Sequence, residues 1–357
     1  MSVVAGTQTH LLYFQPPEQL ARVSLLLDAA VQTIDITKRF GELTAVDKIN
    51  LTIDSKEIFG LIGPNGAGKT TLIRMLTTVL PPTEGTAKVA GFDIRRNQNE
   101  VRQSIGVVSQ AMTLDIELTA WENMELYAKY YDVPSRTRKE RIKELLGVVG
   151  LADRSDFTAG SYSGGMKRRL ELVRSLVHRP KVLFLDEPTT GLDPQARSAV
   201  WEYLRKIHGE QNITIVLTTH YLDEAEALCD RVAIVDYGKL MALGTPTELK
   251  RKVMGGDVVE AEFERLPNAA YEALTGSKFA LQVKRRENTL TVLVRNGAEA
   301  VPRIIELVNE HGGKIRTVTL REPTLDDVFL HFTGRSILED TAITKKRFVS
   351  TWGAMRR

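Results

Sequence analysis

The residues from Gly63 to Thr70, Gly-Pro-Asn-Gly-Ala-Gly-Lys-Thr, are the part of the chain best suited to chemistry. They follow the apolar run Ile58-Phe-Gly-Leu-Ile62, short enough for a buried strand, and lead into the helix-like Thr71-Leu-Ile-Arg-Met-Leu76. Strand, glycine loop and helix in that order present bare backbone N–H groups and a helix N-terminus to an anion. Glycines at 63, 66 and 68 let the backbone approach phosphate closely, and Pro64, Asn65 and Ala67 complete the turn. Lys69 is placed to reach the β- and γ-phosphates of a nucleoside triphosphate, and the Thr70 hydroxyl to bind Mg²⁺. Thr71 counts with the phosphate-contacting residues.

A second centre lies far along the chain, at Lys181-Val-Leu-Phe-Leu-Asp186-Glu187-Pro188. Four consecutive apolar residues entering an acidic pair read as a buried parallel strand that ends at a site. Ligands in such sheets sit outside the carboxyl ends of strands, so Asp186 belongs beside the metal. Glu187, where the backbone turns, can aim at the γ-phosphate and deprotonate a water. The other reading of these acids is that they cap the next helix.

A third stretch, Ser161-Tyr-Ser-Gly-Gly-Met-Lys-Arg-Arg-Leu170, is also a serine and glycine turn opening a helix, and also suited to an anion. A chain with one phosphate loop has no evident need of another. The three basic residues Lys167, Arg168 and Arg169 are expected along the surface of the helix rather than on phosphate.

Together with Gln110 in Val107-Val-Ser-Gln110, Gly191-Leu-Asp193, and His220 after Thr214-Ile-Val-Leu-Thr-Thr219, these motifs resemble those of the ATP-binding cassette family in order and spacing, from Phe40 to Gly244. The resemblance implies an α/β P-loop NTPase: a RecA-like core with an antiparallel β subdomain and a helical subdomain near residues 111–175. It implies that two chains pair head to tail, with Ser163, Gly164 and Gly165 of one covering the ATP held by the P-loop of the other. It makes His220 a switch on the γ-phosphate and Asp193 a reporter across the interface. It also makes Gln110 a link from the core to the helical subdomain, counted with Thr70 and Asp186 at the metal and with Glu187 and His220 in catalysis. Phe40 matches the aromatic that stacks on adenine, its alternative being an ordinary buried aromatic. Tyr162 and Met166 stand where the common signature has leucine and glutamine, which implies slow turnover without a membrane partner.

The rest of the chain must position these groups. At 357 residues, 43% of them hydrophobic and 26% charged, it is long enough for two or more domains. The expected nucleotide-binding domain spans residues 32–247, with strand alternation starting at Thr33-Ile-Asp-Ile36. From Val258 to Leu320 the pattern reads strand, helix, strand, strand, helix, strand, a small α+β ferredoxin-like domain at 256–322 with an accessory, regulatory or dimer-supporting role. Residues 323–357 read as a C-terminal helix and basic tail. The sole cysteine, Cys229, permits no internal disulfide and has no assigned role.

Residues 1–31 read as an extension, containing Pro16-Pro17 and the apolar patch Ser24-Leu-Leu-Leu27 without signal-peptide features. Either they are an appended segment or translation starts near Val31. Five basic residues and no acids lie between Lys345 and Arg357, leaving the remainder slightly acidic. The body is therefore not a nucleic-acid surface. The tail is either a solvated terminus or a contact for anionic lipid.

No apolar run reaches the roughly 18 residues of a membrane span, so any membrane role needs a separate permease chain. Lys69 and Ser163 are too close in sequence for the long coiled-coil arm of DNA-handling cassettes. Tyr162-Ser-Gly-Gly-Met166, Thr218-Thr-His-Tyr-Leu-Asp-Glu-Ala-Glu226 and Glu322-Pro-Thr-Leu-Asp-Asp-Val-Phe-Leu330 resemble the daunorubicin-resistance type of drug-export ATPase. That implies a homodimer on the cytoplasmic face of the cell membrane, driving a permease with about six spans of about 20 residues each. Drug, lipid and glycan all remain open as cargo. The competing readings are a soluble cassette ATPase acting on protein or nucleic acid, and a chain that binds ATP without turnover.

Overall fold

The computed structural model describes residues 29–251 and 255–333. The N-terminal proline pair, the 24–27 apolar patch and the basic tail lie outside the described residues. The chain divides into two compact units, the first running to Gly244 and the second beginning at Thr245.

The first unit opens with a long hairpin, β1 (Ala29–Phe40) and β2 (Leu43–Asp54), followed by β3 (Ile58–Ile62), the P-loop and α1 (Lys69–Leu76). Then come β4 (Glu84–Val89), β5 (Phe92–Asp93), α2 (Gln98–Ser104) and β6 (Ile105–Val108). The helical part comprises α3 (Ala120–Tyr130), α4 (Ser135–Val148) and α5 (Gly164–Arg174). It returns to the core through β7 (Val182–Asp186), α6 (Pro194–Gln211), β8 (Thr214–Thr219), α7 (Leu222–Leu228), β9 (Arg231–Asp236) and β10 (Lys239–Gly244).

These strands form two sheets. One is antiparallel, in the order β2-β1-β4-β5. The other has the order β10-β9-β3-β8-β7-β6 and is parallel except for β10. Every residue of β3, β7 and β8 is buried, which is why β3 and the first four residues of β7 read as unbroken apolar runs rather than alternating ones. The two sheets share one core, in which Ile36, Ile53, Leu61, Met75, Phe184 and Val216 are among the buried side chains.

The first strand begins at Ala29, three residues before the expected start of the domain. Ala29 pairs with Asp54, and Val31 is fully buried between Ile53 and Val89. The small residues Ala29 and Ala30 carry little strand signal, so long-range pairing rather than local propensity sets this boundary.

The second unit contains α8 (Pro246–Leu249), β11 (Asp257–Arg265), α9 (Asn268–Thr275), β12 (Ala280–Arg286), β13 (Thr289–Val294), α10 (Gly297–Glu310), β14 (Lys314–Arg321) and α11 (Leu325–Thr333). From β11 to β14 this is the expected βαββαβ order, with the antiparallel arrangement β12-β13-β11-β14 of a ferredoxin-like sheet. Its core sets Phe263, Leu290 and Val292 against Leu274, Ile304 and Val308 of the two helices.

Candidate nucleotide site

The register of the parallel sheet assembles the site. Ile62 pairs with Thr219 and Asp186 with Thr218, so the P-loop, the acidic pair and His220 all leave the sheet at one edge. Val108 pairs with Leu185, which brings Gln110 to the same edge. Side chains nearly 160 residues apart in sequence thereby meet where ligands of open parallel sheets bind.

Gly68, in the left-handed region at φ 103°, starts α1. A side chain there would put a Cβ 2.3 Å from the Ala45 carbonyl, and one at Gly63 would lie 2.1 Å from the Val235 carbonyl. The loop is thus clamped between the hairpin and β9. Asp47 N donates to Gly238 O and Gly238 N to Ala67 O, closing the clamp. Asn65 and Gly66 are exposed at its crest, while Pro64 and Ala67 are buried beneath.

Lys69 is 4% exposed, and its ammonium donates to Gly63 O at 2.7 Å and Pro64 O at 3.0 Å. Burial pushes its pKa down, with the nearby Glu187 and Asp186 carboxylates opposing the change. The Thr70 hydroxyl donates to Asp186 Oδ1 at 3.0 Å, and Thr218 donates to the same oxygen at 2.6 Å. Thr71 continues the helix, half-buried. A hydroxyl and a carboxylate at this separation are hard oxygen donors of the kind Mg²⁺ takes, with phosphate and water completing its shell.

Glu187 adopts the left-handed conformation at φ 50°. The turn is held by its N–H, which donates to Thr218 Oγ1 at 3.0 Å. Its carboxylate receives His220 Nδ1 at 3.2 Å, Gln110 Nε2 at 3.3 Å and the Thr190 hydroxyl at 3.1 Å. Burial works against the carboxylate, but the His220 bond and charge, together with Lys69 and Thr190, outweigh it and hold Glu187 below the usual carboxylate range. A base kept ionised beside a phosphate loop can orient and activate water. Thr190 and Thr218 went unmarked in the sequence, where isolated threonines carry no signal; their place three residues after Glu187 and two before His220 was the available clue.

Phe40 is 48% exposed, so it is not an ordinary core aromatic. The Lys38 ammonium lies over its ring, 5.3 Å from the centroid. It stands at the turn end of the hairpin, paired with Leu43, and Ala45 of the same hairpin abuts Gly68.

The signature residues do not join this cluster. Ser163 caps α5, accepting from Met166 N at 3.3 Å. With Gly164 and Gly165 it lines a recess of about 400 Å³ that also includes Gly191, Leu192 and Asp193, and no P-loop residue lines it. Asp193 caps α6 through Ala196 N at 2.9 Å. Space beyond Gly164 is open, with no atom within 4 Å of a built Cβ. Tyr162, at the leucine position of the common signature, is buried and donates to Arg154 O at 2.5 Å.

The expectation that Lys167, Arg168 and Arg169 all line the helix surface is corrected for Arg168. It is 5% exposed and points inward, donating to Pro188 O at 2.7 Å and Ser109 O at 2.8 Å. Arg169 is half-buried and donates to Val149 O at 2.9 Å and the Tyr203 hydroxyl at 3.1 Å.

A parallel sheet with a P-loop, a buried lysine and a strand-ending acidic pair defines a P-loop nucleoside triphosphatase. Residues 46–190 match the family model described as ABC transporter, and residues 244–333 match that of the ATP-binding protein DrrA1-3-like C-terminal domain. The daunorubicin resistance ATP-binding protein DrrA3 of Streptomyces coeruleorubidus is 42% identical over 87% of this chain and 97% of its own length. The Nod factor export ATP-binding protein I of Ralstonia nicotianae is 39% identical over 85% of this chain and 93% of its own.

Among solved structures, cbiO1 from Clostridium perfringens, part of the ABC transporter complex cbiONQ, is similar with a TM-score of 0.58 and 29% identity. The match covers 63% of this chain and 94% of that one. A dimeric ATP-binding cassette in a post-hydrolysis state, bound to ADP and Pi, is similar with a TM-score of 0.55 and 27% identity over 60% of this chain and 98% of its own. The chain belongs to the ATP-binding cassette family of transporter ATPases. Among the described residues no helix is long and apolar enough to cross a membrane.

Proposed function

We propose that this chain is the ATP-hydrolysing subunit of an exporter, working as a head-to-tail homodimer that encloses two ATP. The observation that carries this reading is the separation of its two phosphate-suited turns. The P-loop cluster of Lys69, Thr70, Asp186 and Glu187 is built on one sheet edge. The Ser163-Gly164-Gly165 turn opens into another recess, with Gly191 to Asp193 beside it. A P-loop holds a triphosphate from one side and leaves the γ-phosphate open on the other, where a second helix N-terminus can donate to it.

In this reading Lys69 and the loop N–H groups at 63–71 bind the phosphates, and Phe40 stacks on adenine. Thr70, Asp186 and the Gln110 amide hold Mg²⁺, which supplies charge neutralisation when bound. Glu187 is the base for the attacking water, steadied by His220, Gln110 and Thr190. Asp193 and Ser163 face the second copy.

The names of the relatives, for resistance to daunorubicin and for Nod factor export, support an exporter of drug, lipid or glycan. Its pathway would be a separate integral-membrane permease of about six spans, with this chain peripheral on the cytoplasmic face. The DrrA-type C-terminal unit, which begins at Thr245, is read as an accessory domain.

The test is Glu187→Gln with ATP and Mg²⁺, followed by size-exclusion chromatography with light scattering. The variant is expected to accumulate as an ATP-bound dimer because the sandwich closes and hydrolysis stalls. A variant that binds ATP and stays monomeric overturns the reading.

A further inference from the structure

Arg168 spends its whole guanidinium inside the protein. Nε donates to Pro188 O, Nη1 to Ser109 O and to Glu171 Oε2 at 3.0 Å, and Nη2 to Glu187 O at 3.3 Å and Asp186 O at 3.4 Å. Glu171, one turn further along α5 and 2% exposed, uses its other oxygen to accept from Thr113 N at 2.6 Å and the Thr113 hydroxyl at 3.0 Å. Arg174 donates in turn to Thr113 O at 2.9 Å and to its hydroxyl.

Each of these partners belongs to a segment with a part in the proposed reaction. Ser109 directly precedes Gln110, and Thr113 follows it by three residues. Asp186 ends β7, and Glu187 and Pro188 follow it directly, including the peptide on which Glu187 takes its left-handed turn. Arg168 and Glu171 themselves lie on the helix capped by Ser163. A buried ion pair is expensive to desolvate, and apolar residues of similar volume commonly serve stability as well or better. What the pair provides that an apolar contact cannot is a fixed fork, with one planar cation holding four carbonyl oxygens and a carboxylate in a set geometry.

We propose that Arg168, neutralised by Glu171, is a positioning residue that joins the Ser163 helix to Glu187 and to the Gln110 segment of the same chain. This rests on the head-to-tail reading. In that arrangement Ser163 serves the partner's nucleotide while Glu187 serves the chain's own, so the two ends of this short network face different ATP molecules. Closure of the Ser163 turn on one nucleotide is then felt at the Glu187 of the other. Coupling between sites requires contiguous packed or hydrogen-bonded groups that both sites can bias, and this pair supplies them.

The experiment compares Arg168→Lys and Glu171→Gln with their parent, each in full-length protein. Lysine keeps the charge but loses the fork; glutamine keeps the contact to Thr113 but loses the charge. In the Glu187→Gln parent the ATP concentration for half-dimerisation is measured by light scattering, and ATP affinity of the dilute monomer by titration with a fluorescent ATP analogue. Either variant is expected to raise the dimerisation midpoint at least about fivefold, the lower end of typical coupling strengths, with monomer affinity held within about twofold. With Glu187 restored, kcat falls and the Hill coefficient for ATP drops toward one, while KM moves little.

Variants that dimerise and cooperate like a dimerising parent overturn this inference and leave the head-to-tail reading intact. So does a parallel loss of monomer affinity, dimerisation and Tm, which is what a merely structural pair would give. A parent that stays monomeric removes both. Should Arg168→Lys fail to fold, Glu171→Gln, which changes only one atom of a neutralised pair, decides the question by the same measurements.

Discussion

Glu187 and His220 meet through a 3.2 Å contact between Oε1 and Nδ1, while the other carboxylate oxygen is occupied by Gln110 and Thr190. Every group aimed at this carboxylate is a donor, and the charge of Lys69 adds to them. The arrangement holds a buried acid below the usual carboxylate range although burial pushes it the other way. His220→Ala is therefore expected to lower ATP turnover by about 10²-fold, the lower end of what a positioned base contributes, while the P-loop still binds nucleotide. The pH profile gives the sharper check. Because Glu187 is held below its usual value, the wild-type base persists as pH falls through the ordinary carboxylate range and fails only below it. In His220→Ala the acid limb of kcat moves up in pH. A limb that stays in place in the variant contradicts the role given to His220.

The P-loop glycines differ in what they permit. At Gly68, φ is 103° and a Cβ would strike the Ala45 carbonyl. At Gly66, φ is 85° but nothing lies within 4 Å. Gly66→Ala incurs only backbone strain, about 1–2 kcal/mol. Gly68→Ala adds a collision with main chain that forces the loop from the hairpin, typically a further 1–3 kcal/mol or so. Thermal melts and ATP titrations are expected to show Gly68→Ala with the lower Tm and no measurable ATP binding, and Gly66→Ala folded with reduced affinity. Equal effects contradict the clamp.

How much of this was legible in the sequence follows from how local each feature is. The P-loop, the Asp186-Glu187 strand end and the βαββαβ unit are each specified within a few dozen residues, and the structure shows them where the pattern puts them. Arg168 was illegible because a basic run on a helix reads as solvated surface. What buries it is a set of carbonyls from Ser109 and residues 186–188, brought together only by the sheet register. Helix α4 shows the same limit, since Ser135–Val148 is so rich in charge that its buried side, Ile142, Leu145 and Leu146, does not announce itself. The interface roles proposed for Ser163 and Asp193 rest on resemblance alone, because their proposed ligand belongs to another copy.

Lys69 bonds carbonyls of its own loop, Gly63 and Pro64, and so shapes the P-loop in addition to the phosphate contact proposed for it. Lys69→Met keeps the buried stem and removes the charge. Loss of a hydrogen bond to a charged group costs about 1.5–3 kcal/mol. ATP affinity is therefore expected to fall roughly 10- to 100-fold, and AMP affinity, which involves no β- or γ-phosphate, far less. Calorimetric titrations with ATP, ADP and AMP check this; a uniform loss across all three points to loop collapse instead.

In the second unit, Asp327 fastens α11 in place. Its carboxylate accepts from Arg321 at 2.6 and 3.1 Å, from Thr324 N at 2.8 Å and from the Thr324 hydroxyl at 2.9 Å. Leu325, Val328 and Phe329 are fully buried beside it. Burial raises the Asp327 pKa, but the Arg321 and Thr324 bonds more than offset this and leave it below the unfolded value of 3.8. A depressed carboxylate contributes stability that is present above the unfolded pKa and is lost as pH falls through the folded one. Asp327→Asn is thus expected to destabilise this unit by about 1–2 kcal/mol at neutral pH, a figure reduced because water screens the partly exposed Arg321. The gap between variant and wild type narrows as pH drops below 3.8. The exposed pair Lys314 and Glu264 serves as the control: Glu264→Gln is expected to leave the denaturant midpoint unchanged at every pH. Urea titrations of the full chain, followed by hydrogen exchange in residues 257–333, separate the two cases. A gap between Asp327→Asn and wild type that persists undiminished in acid excludes the ion pair as its cause.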